Sequence, residues 1–535
     1  MISIDSNTVG LSYAEELSIG VLPGTSQQDG VWYPLEPNEY DDFGAEVSTV
    51  ARNPINPSRQ RRKGVVTDLE ASGGFQQDLT NSNLTRLMQG FFFADAYERV
   101  RTKPLNSKTA NTTVVATFVA TGSKINVDDG AKFKVGMILK STGFVNTTNN
   151  QNEMVVSSIT TNELTVTGTL VDETYSVGTL EVVGFQYGSA DLKVAYAFNV
   201  LKLTSVVGFA THLYKVGEWI FIGGDLAANK FEEGGSGQNK PGYARVEKVE
   251  ANALTLKEPT FTPLTDAGTG KTVRVYTGAY IRNEDTTSLI KKRSYQIERT
   301  LGSDNDGVQS EVLVGSVPNE LSINFTSGDK LETSLSFVAI NNELRSGSTG
   351  LKPGDRTNVI SEDEAYNSAV DVYRLRLFVY GANPTPASLF AYVTDASISI
   401  SNGAAGRKAI GTLGSIDISV GDFEVGGELE VYFADIDAVN AVKNNADVGF
   451  NTIIASKNNG IVYDIPLLSL GGVAFPSKKM NLLCCHYKQW LQEIRTVIQC
   501  LQRTSRTCQM LLCLRSNTYV TEKEIWNRQR SYRKW

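Results

Sequence analysis

The clearest alternation of apolar and polar positions lies in residues 294–337. Leu321, Ile323 and Phe325 are separated by Ser322 and Asn324. After Thr326-Ser327-Gly328-Asp329, the apolar or β-branched Leu331, Thr333, Leu335 and Phe337 are separated by Glu332, Ser334 and Ser336. Period-two alternation on both sides of a four-residue turn predicts a half-buried β-hairpin.

Further strands are predicted over residues 9–17, 72–78, 371–380, 391–401 and 460–470. Residues 32–37 read as extended, because a residue before proline avoids the helical region. Helical spacing is clearest over residues 81–93, where Leu84, Leu87, Met88, Phe91 and Phe92 share a face and Asn81 or Ser82 serves as cap. A shorter helix is expected over 436–445, and a mobile surface loop over 346–357. Residues 53–63 form a polar, proline-broken loop carrying Arg59, Arg61, Arg62 and Lys63.

Residues 103–280 contain an internal repeat. Val156, Ile159, Asn162, Leu164, Thr165 and Val166 align without gaps on Val246, Val249, Asn252, Leu254, Thr255 and Leu256. Upstream, Phe133-Lys134-Val135-Gly136 matches Tyr214-Lys215-Val216-Gly217. Each copy predicts two strands joined at a tight turn where asparagine tolerates the left-handed conformation. The expectation is an inserted all-β domain with repeats at about 124–170 and 206–260, each a small barrel-like unit.

Three strings occur in a fixed order: SYQIER from Ser294, GSVPNELSIN from Gly315 and GDKLETSLSF from Gly328. GDFEVGGELEVYF follows from Gly421. This series resembles the core of long-tailed bacteriophage tail tube proteins, over roughly residues 1–100 and 281–476. The resemblance implies a mainly β, tail-tube-type sandwich with a helix and a long hairpin, split into 1–102 and 281–476 by the insertion. It also implies a structural role without catalytic residues, cofactor or metal. Identical copies would form stacked, hexameric rings with other phage tail proteins as partners, and DNA would cross the lumen without specific binding. The protein would reside in the virion tail, after assembly in the host cytoplasm. In that picture Leu321, Ile323, Phe325, Leu331, Leu335 and Phe337 belong to a hairpin shared with neighbours around the lumen. Arg59, Arg61, Arg62 and Lys63 would meet a neighbour's acidic surface, and the insertion would decorate the outside.

Composition narrows the function further. No apolar run approaches the ~20 residues of a membrane span, and MISIDSNTVG has no secretory pattern. Residues 1–476 carry 39 basic and 55 acidic side chains, a net −16, which disfavours a nucleic-acid grip. The GTGKT string from Gly268 lacks the first glycine of a phosphate loop and precedes a strand-like run. Asp304-Asn305-Asp306-Gly307 lacks the other ligands of a calcium loop and reads as a turn. The chain has two histidines, His212 and His486, and His212 reads as packing. A surface carbohydrate-binding β-protein is the alternative; it requires a cluster of exposed aromatic rings.

Residues 477–535 differ in kind. They hold 12 basic and 3 acidic residues, all five cysteines and three of the five tryptophans. One reading is a basic amphipathic helix with Trp490, Ile494, Val497 and Leu501 on one face. The favoured reading is a change of frame. Combining the last base of each codon with the next two, Met480-Asn481 dictates glutamate, and Cys484-Cys485 and His486-Tyr487 each dictate leucine. Tyr487-Lys488 dictates glutamine or a stop, and Lys478-Lys479-Met480 permits seven consecutive adenines. The resemblance implies a closing strand of such apolar character.

Overall fold

The alternating residues do form adjacent antiparallel strands. Gly307–Thr326 pairs with Glu332–Ala339, setting Leu321 opposite Leu335 and Ile323 opposite Thr333. Both outer sides of this pair are occupied within the same chain. Gly64–Asp78 lies along Glu332–Ala339, and Val393–Ser401 lies along the second half of Gly307–Thr326. Pro37–Ala51 extends this central sheet on one side, and Glu424–Gly426 and Glu428–Tyr432 extend it on the other. The computed structural model describes residues 9–24, 30–52, 55, 63–81, 84–106, 116–174, 178–209, 212–304, 307–356, 364–379, 388–390, 392–432, 440–441, 443–456, 459–474, 484–490 and 497–502.

Gly307–Thr326 serves two sheets. Its first half pairs with Tyr295–Asp304 and Asn341–Arg345, beside Gly10–Glu15 and Val31–Leu35. The change of sheet falls near Gly315, whose φ is 66°. A Cβ there would lie 2.5 Å from Ile340 Cγ1, so both backbone and space require glycine. Its N–H donates to the buried Glu16 Oε1 at 3.0 Å.

A third sheet joins Val372–Val379, Val448–Ser456 and the first part of Asn459–Ala474. Central-sheet residues such as Leu321 and Phe337 share one core with Tyr13, Ile297 and Leu313 of the second sheet and Ile454, Ile461 and Tyr463 of the third. Helix Thr85–Phe91 contributes Leu87, Met88 and Phe91 to this core, as the spacing predicts. The helix starts later than expected, with Leu84 at its N-cap and no side-chain cap. Asn81 is not the cap, because Leu79 still exchanges strand-like bonds with Leu331 and Tyr366; Ser82 lies outside the described residues. Asn440, Ala441 and Lys443 are helical within the second expected helix, and residues 436–439 lie outside the description.

The loop expected to be mobile is pinned instead. Trp32 Nε1 donates to Pro353 O at 3.0 Å, Lys352 N to Glu298 Oε2 at 2.7 Å, and Asp355–Arg356 pairs in parallel with Val31-Trp32. Residues 357–363 lie outside the described residues. The helical reading of the last segment is also corrected: Cys484–Trp490 and Val497–Gln502 are strands, and Ile494 lies outside the description.

Between Ala116 and Tyr276, twelve strands pair in ladders only with one another. Ile159 faces Leu164 and Val156 faces Val166 across a bulge; Val249 faces Leu254 and Val246 faces Leu256 across a bulge at the same place. Gly136 and Gly217 both have φ near 90° and donate to Val156 O and Val246 O at 2.8 Å. Each unit uses six strands. These run from Ala116–Val119 to Thr179–Gln186 and from Leu192–Ala197 to Arg274–Tyr276. The unit edges Thr179–Gln186 and Arg274–Tyr276 then join antiparallel, giving one continuous twelve-stranded order.

Candidate assembly surfaces

The six apolar residues expected at a shared surface point into the subunit. Leu321, Ile323, Phe325, Leu331, Leu335 and Phe337 are all at most 5% exposed. Both edges of the hairpin are paired within the subunit, and its apolar face is part of the core. The opposite face remains open. It carries Glu320, Ser322, Asn324 and Thr326, beside Glu332, Ser334 and Ser336 and beside Asp395, Ser397, Ser399 and Ser401. Glu424 and Glu430 continue it. Lysine and arginine are missing from these positions, and Lys330 at the turn is ion-paired with Asp78 at 2.7 Å. The result is a wide face of hydroxyls and carboxylates.

A second surface comes from hairpins that leave the sheet. Beyond Ala71, Gly64–Asp78 pairs only with Pro37–Ala51, so their outer halves form a two-stranded ribbon. A register shift between Asp41 and Gly44 bends the ribbon at its root, where Asp42 has φ of 41° and Gly44 of 152°. Phe43 turns inward at this bend, with the Arg299 guanidinium 4.8 Å from its ring centre. Val47, Val50, Val65 and Val66 are each about half exposed or more. Val50 and Val65 lie directly opposite each other.

Ala405–Lys408 and Ser415–Ser419 form another projecting hairpin, with Ile410, Leu413 and Ile416 exposed. Lys408 Nζ ties it to the ribbon through ion pairs with Asp68 and Glu70. Asp68 and Lys408 are both held further into their charged forms by this hydrogen bond. The two linked projections thus present exposed apolar side chains close together. Of the four expected contact cations, Arg59, Arg61 and Arg62 lie outside the described residues; Lys63 is exposed at the base of the loop.

The third surface is already closed: it joins body and insertion. Val448–Ser456 is buried at seven consecutive positions because both of its faces are covered. Ile454 faces the core, whereas Ile453 and Val462 meet Trp219, Phe221 and Tyr243 of the insertion. Trp219 Nε1 and Arg245 Nη1 donate to Asp464 Oδ2 at 3.0 and 3.2 Å. Arg376 Nη1 meets Glu258 Oε2 at 3.2 Å, and Arg374 lies 5.2 Å from the Trp219 ring centre. Burial pushes Arg374 down to about 10, while it pushes Glu258 upward against the neighbouring arginines. Paired charges hidden between two layers set a specific docking geometry.

The tempting motifs resolve as structure. Gly268 and Gly270 are turn residues with positive φ, and Lys271 pairs with Glu232 at 2.8 Å ahead of strand Arg274–Tyr276. Asp304 and Gly307 close a hairpin, with the two residues between them outside the description. Among the described residues no group of three His, Cys, Asp or Glu side chains is placed to hold a metal, and no helix is long and apolar enough to cross a membrane.

His212 is buried, stacked on Phe185 with ring centres 4.1 Å apart, and bonded through Nδ1 to the Tyr187 hydroxyl at 2.8 Å. Burial, assisted by nearby Arg99 and opposed by Asp191, lowers its pKa from 6.5 to about 4. Between those values the unfolded chain binds the proton and the folded one does not. Stability from neutral His212 is therefore complete above pH 6.5 and declines as pH falls toward 4. Melting curves across this range should show a steeper acid decline for the native protein than for His212→Gln.

These features define a β-scaffold of packed sheets with a twelve-stranded sheet held against one side. The family profile described as phage tail tube protein matches residues 6–480, and the chain belongs to that family. It is thus a structural component of a phage tail. Comparison with curated proteins finds no match.

Proposed function

We propose that identical copies form hexameric rings, and that the rings stack into a hollow tube through which the phage genome enters the host. The observation that carries this reading is the order of layers. The polar face comes first, then the central sheet, the shared core, the third sheet and finally the insertion. With the polar face toward the axis, the insertion lies outside and cannot block the channel. Carboxylates and hydroxyls facing DNA repel phosphate, so DNA passes without sticking. The two linked projections reach the next copy, burying their valines and isoleucines in the contact. Closing a ring in this way satisfies every subunit with one kind of interface.

Electron microscopy of purified protein tests the reading. The expected result is tubes with an open channel and one outer knob per subunit. Monodisperse monomers under assembly conditions, or knob density inside the channel, would overturn it. Among the described residues the carbohydrate-binding alternative finds no platform: the exposed aromatic residues Phe198, Tyr373 and Tyr392 sit on three separate elements.

A further inference from the structure

The body holds two slots for β-strands, and the chain's last segment fills both. Glu428–Tyr432 and the end of Asn459–Ala474 flank Cys484–Trp490. Gly278–Arg282 and the start of Asn459–Ala474 flank Val497–Gln502. In the first slot Val431 lies opposite position 485 and Leu429 opposite position 487. Both partners are core residues, 2% and 5% exposed. Directly opposed residues of an antiparallel pair share a face. Positions 485 and 487 therefore pair with core residues, and 486 and 488 pair with Glu430 and Glu428.

Such a slot calls for apolar residues at 485 and 487 and polar ones at 488. The chain offers Cys485, Tyr487 and Lys488, inside a piece whose net charge jumps to +9 and which holds every cysteine. The family match stops at 480, within the first residues of that piece.

Stepping back one base after Lys479 meets the same pattern with aliphatic residues opposite the core. Two cysteine codons, TGY-TGY, then read as leucine at position 485, whichever synonyms are used. His486-Tyr487 reads as leucine at position 487, and Tyr487-Lys488 as glutamine at position 488 unless it is a stop. Position 486 becomes proline or serine. In the second slot, position 500 lies opposite the buried Ile461, and the shifted frame allows only methionine or valine there. No codon choice enters the two leucines.

We propose that the first slot is built for a strand encoded one base back from the present frame. Residues from position 480 onward are then a displaced-frame substitute for the native closing strands. The permitted adenine run at Lys478-Lys479-Met480 is where the frame changes, by ribosomal slippage or by loss of one base from the gene.

The test compares the full chain as it stands with a full chain from a gene carrying one added adenine after codon 479. Two leucines seated against Val431 and Leu429 should raise the melting temperature by about 5 °C or more. An equal or lower melting temperature, or a stop codon at the Tyr487-Lys488 junction, overturns the proposal. Mass spectrometry of the subunit from phage particles gives an independent reading. Peptides with glutamate at position 481 and leucine at 485 and 487 support it; cysteine-containing peptides from the present frame overturn it. Melting is read on the unassembled subunit, so a failure here leaves the tube reading intact, and a failure to form tubes does not decide this one.

Discussion

A subunit carrying Val50→Lys together with Val65→Glu should fold normally and fail to form tubes. The two valines face each other near the end of the ribbon and are 60% and 59% exposed, so neither supports the core. A lysine opposite a glutamate preserves a favourable cross-strand pair, which keeps the ribbon itself intact. What disappears is apolar surface available for a neighbour. Fully burying a valine is worth about 1.5–3 kcal/mol, so losing two that are about three-fifths exposed should raise the threshold concentration for assembly at least ~20-fold. Sedimentation and electron microscopy measure the loss, and the melting temperature should stay within about 2 °C of native. Tubes at the native concentration would show that the ribbon lies outside the contact.

Asp464→Ala should produce the largest loss of stability. The carboxylate accepts from both Trp219 and Arg245 across the joint and is itself 1% exposed. Its removal takes a shared acceptor from a buried guanidinium and an indole N–H. Breaking a buried pair from one side costs about 3–5 kcal/mol. Chemical denaturation should show the midpoint falling, with insertion and body unfolding in separate steps. Asp464→Asn keeps an acceptor for Trp219 and should cost less. A variant with the native midpoint would mean that water satisfies the joint.

The parts legible from sequence are those with a regular local period. Leu321 to Phe337 alternate cleanly, and the observed register follows from that alternation. The repeat was visible because its two copies hold a constant offset of residue types, down to the bulges. Period alone did not say which face of the hairpin would meet a neighbour, and the apolar face went to the subunit's own core. The ribbon was hidden for another reason. Asp41, Asp42 and Gly44 interrupt its alternation at the very bulge that bends it, so the run resembles a loop. The joint was invisible because its partners are far apart in the chain: Arg245 and Asp464 are 219 residues apart. Val448–Ser456, covered on both faces, shows no period at all.

A strand of 20 residues that belongs to two sheets carries a mechanical consequence. Sliding one layer over another would have to stretch a covalent backbone, since Gly307–Thr326 is woven into both. Each subunit therefore resists shear as a stiff block. A long filament made of such blocks must take up curvature at the seams between copies, tilting whole units while their interiors stay unchanged.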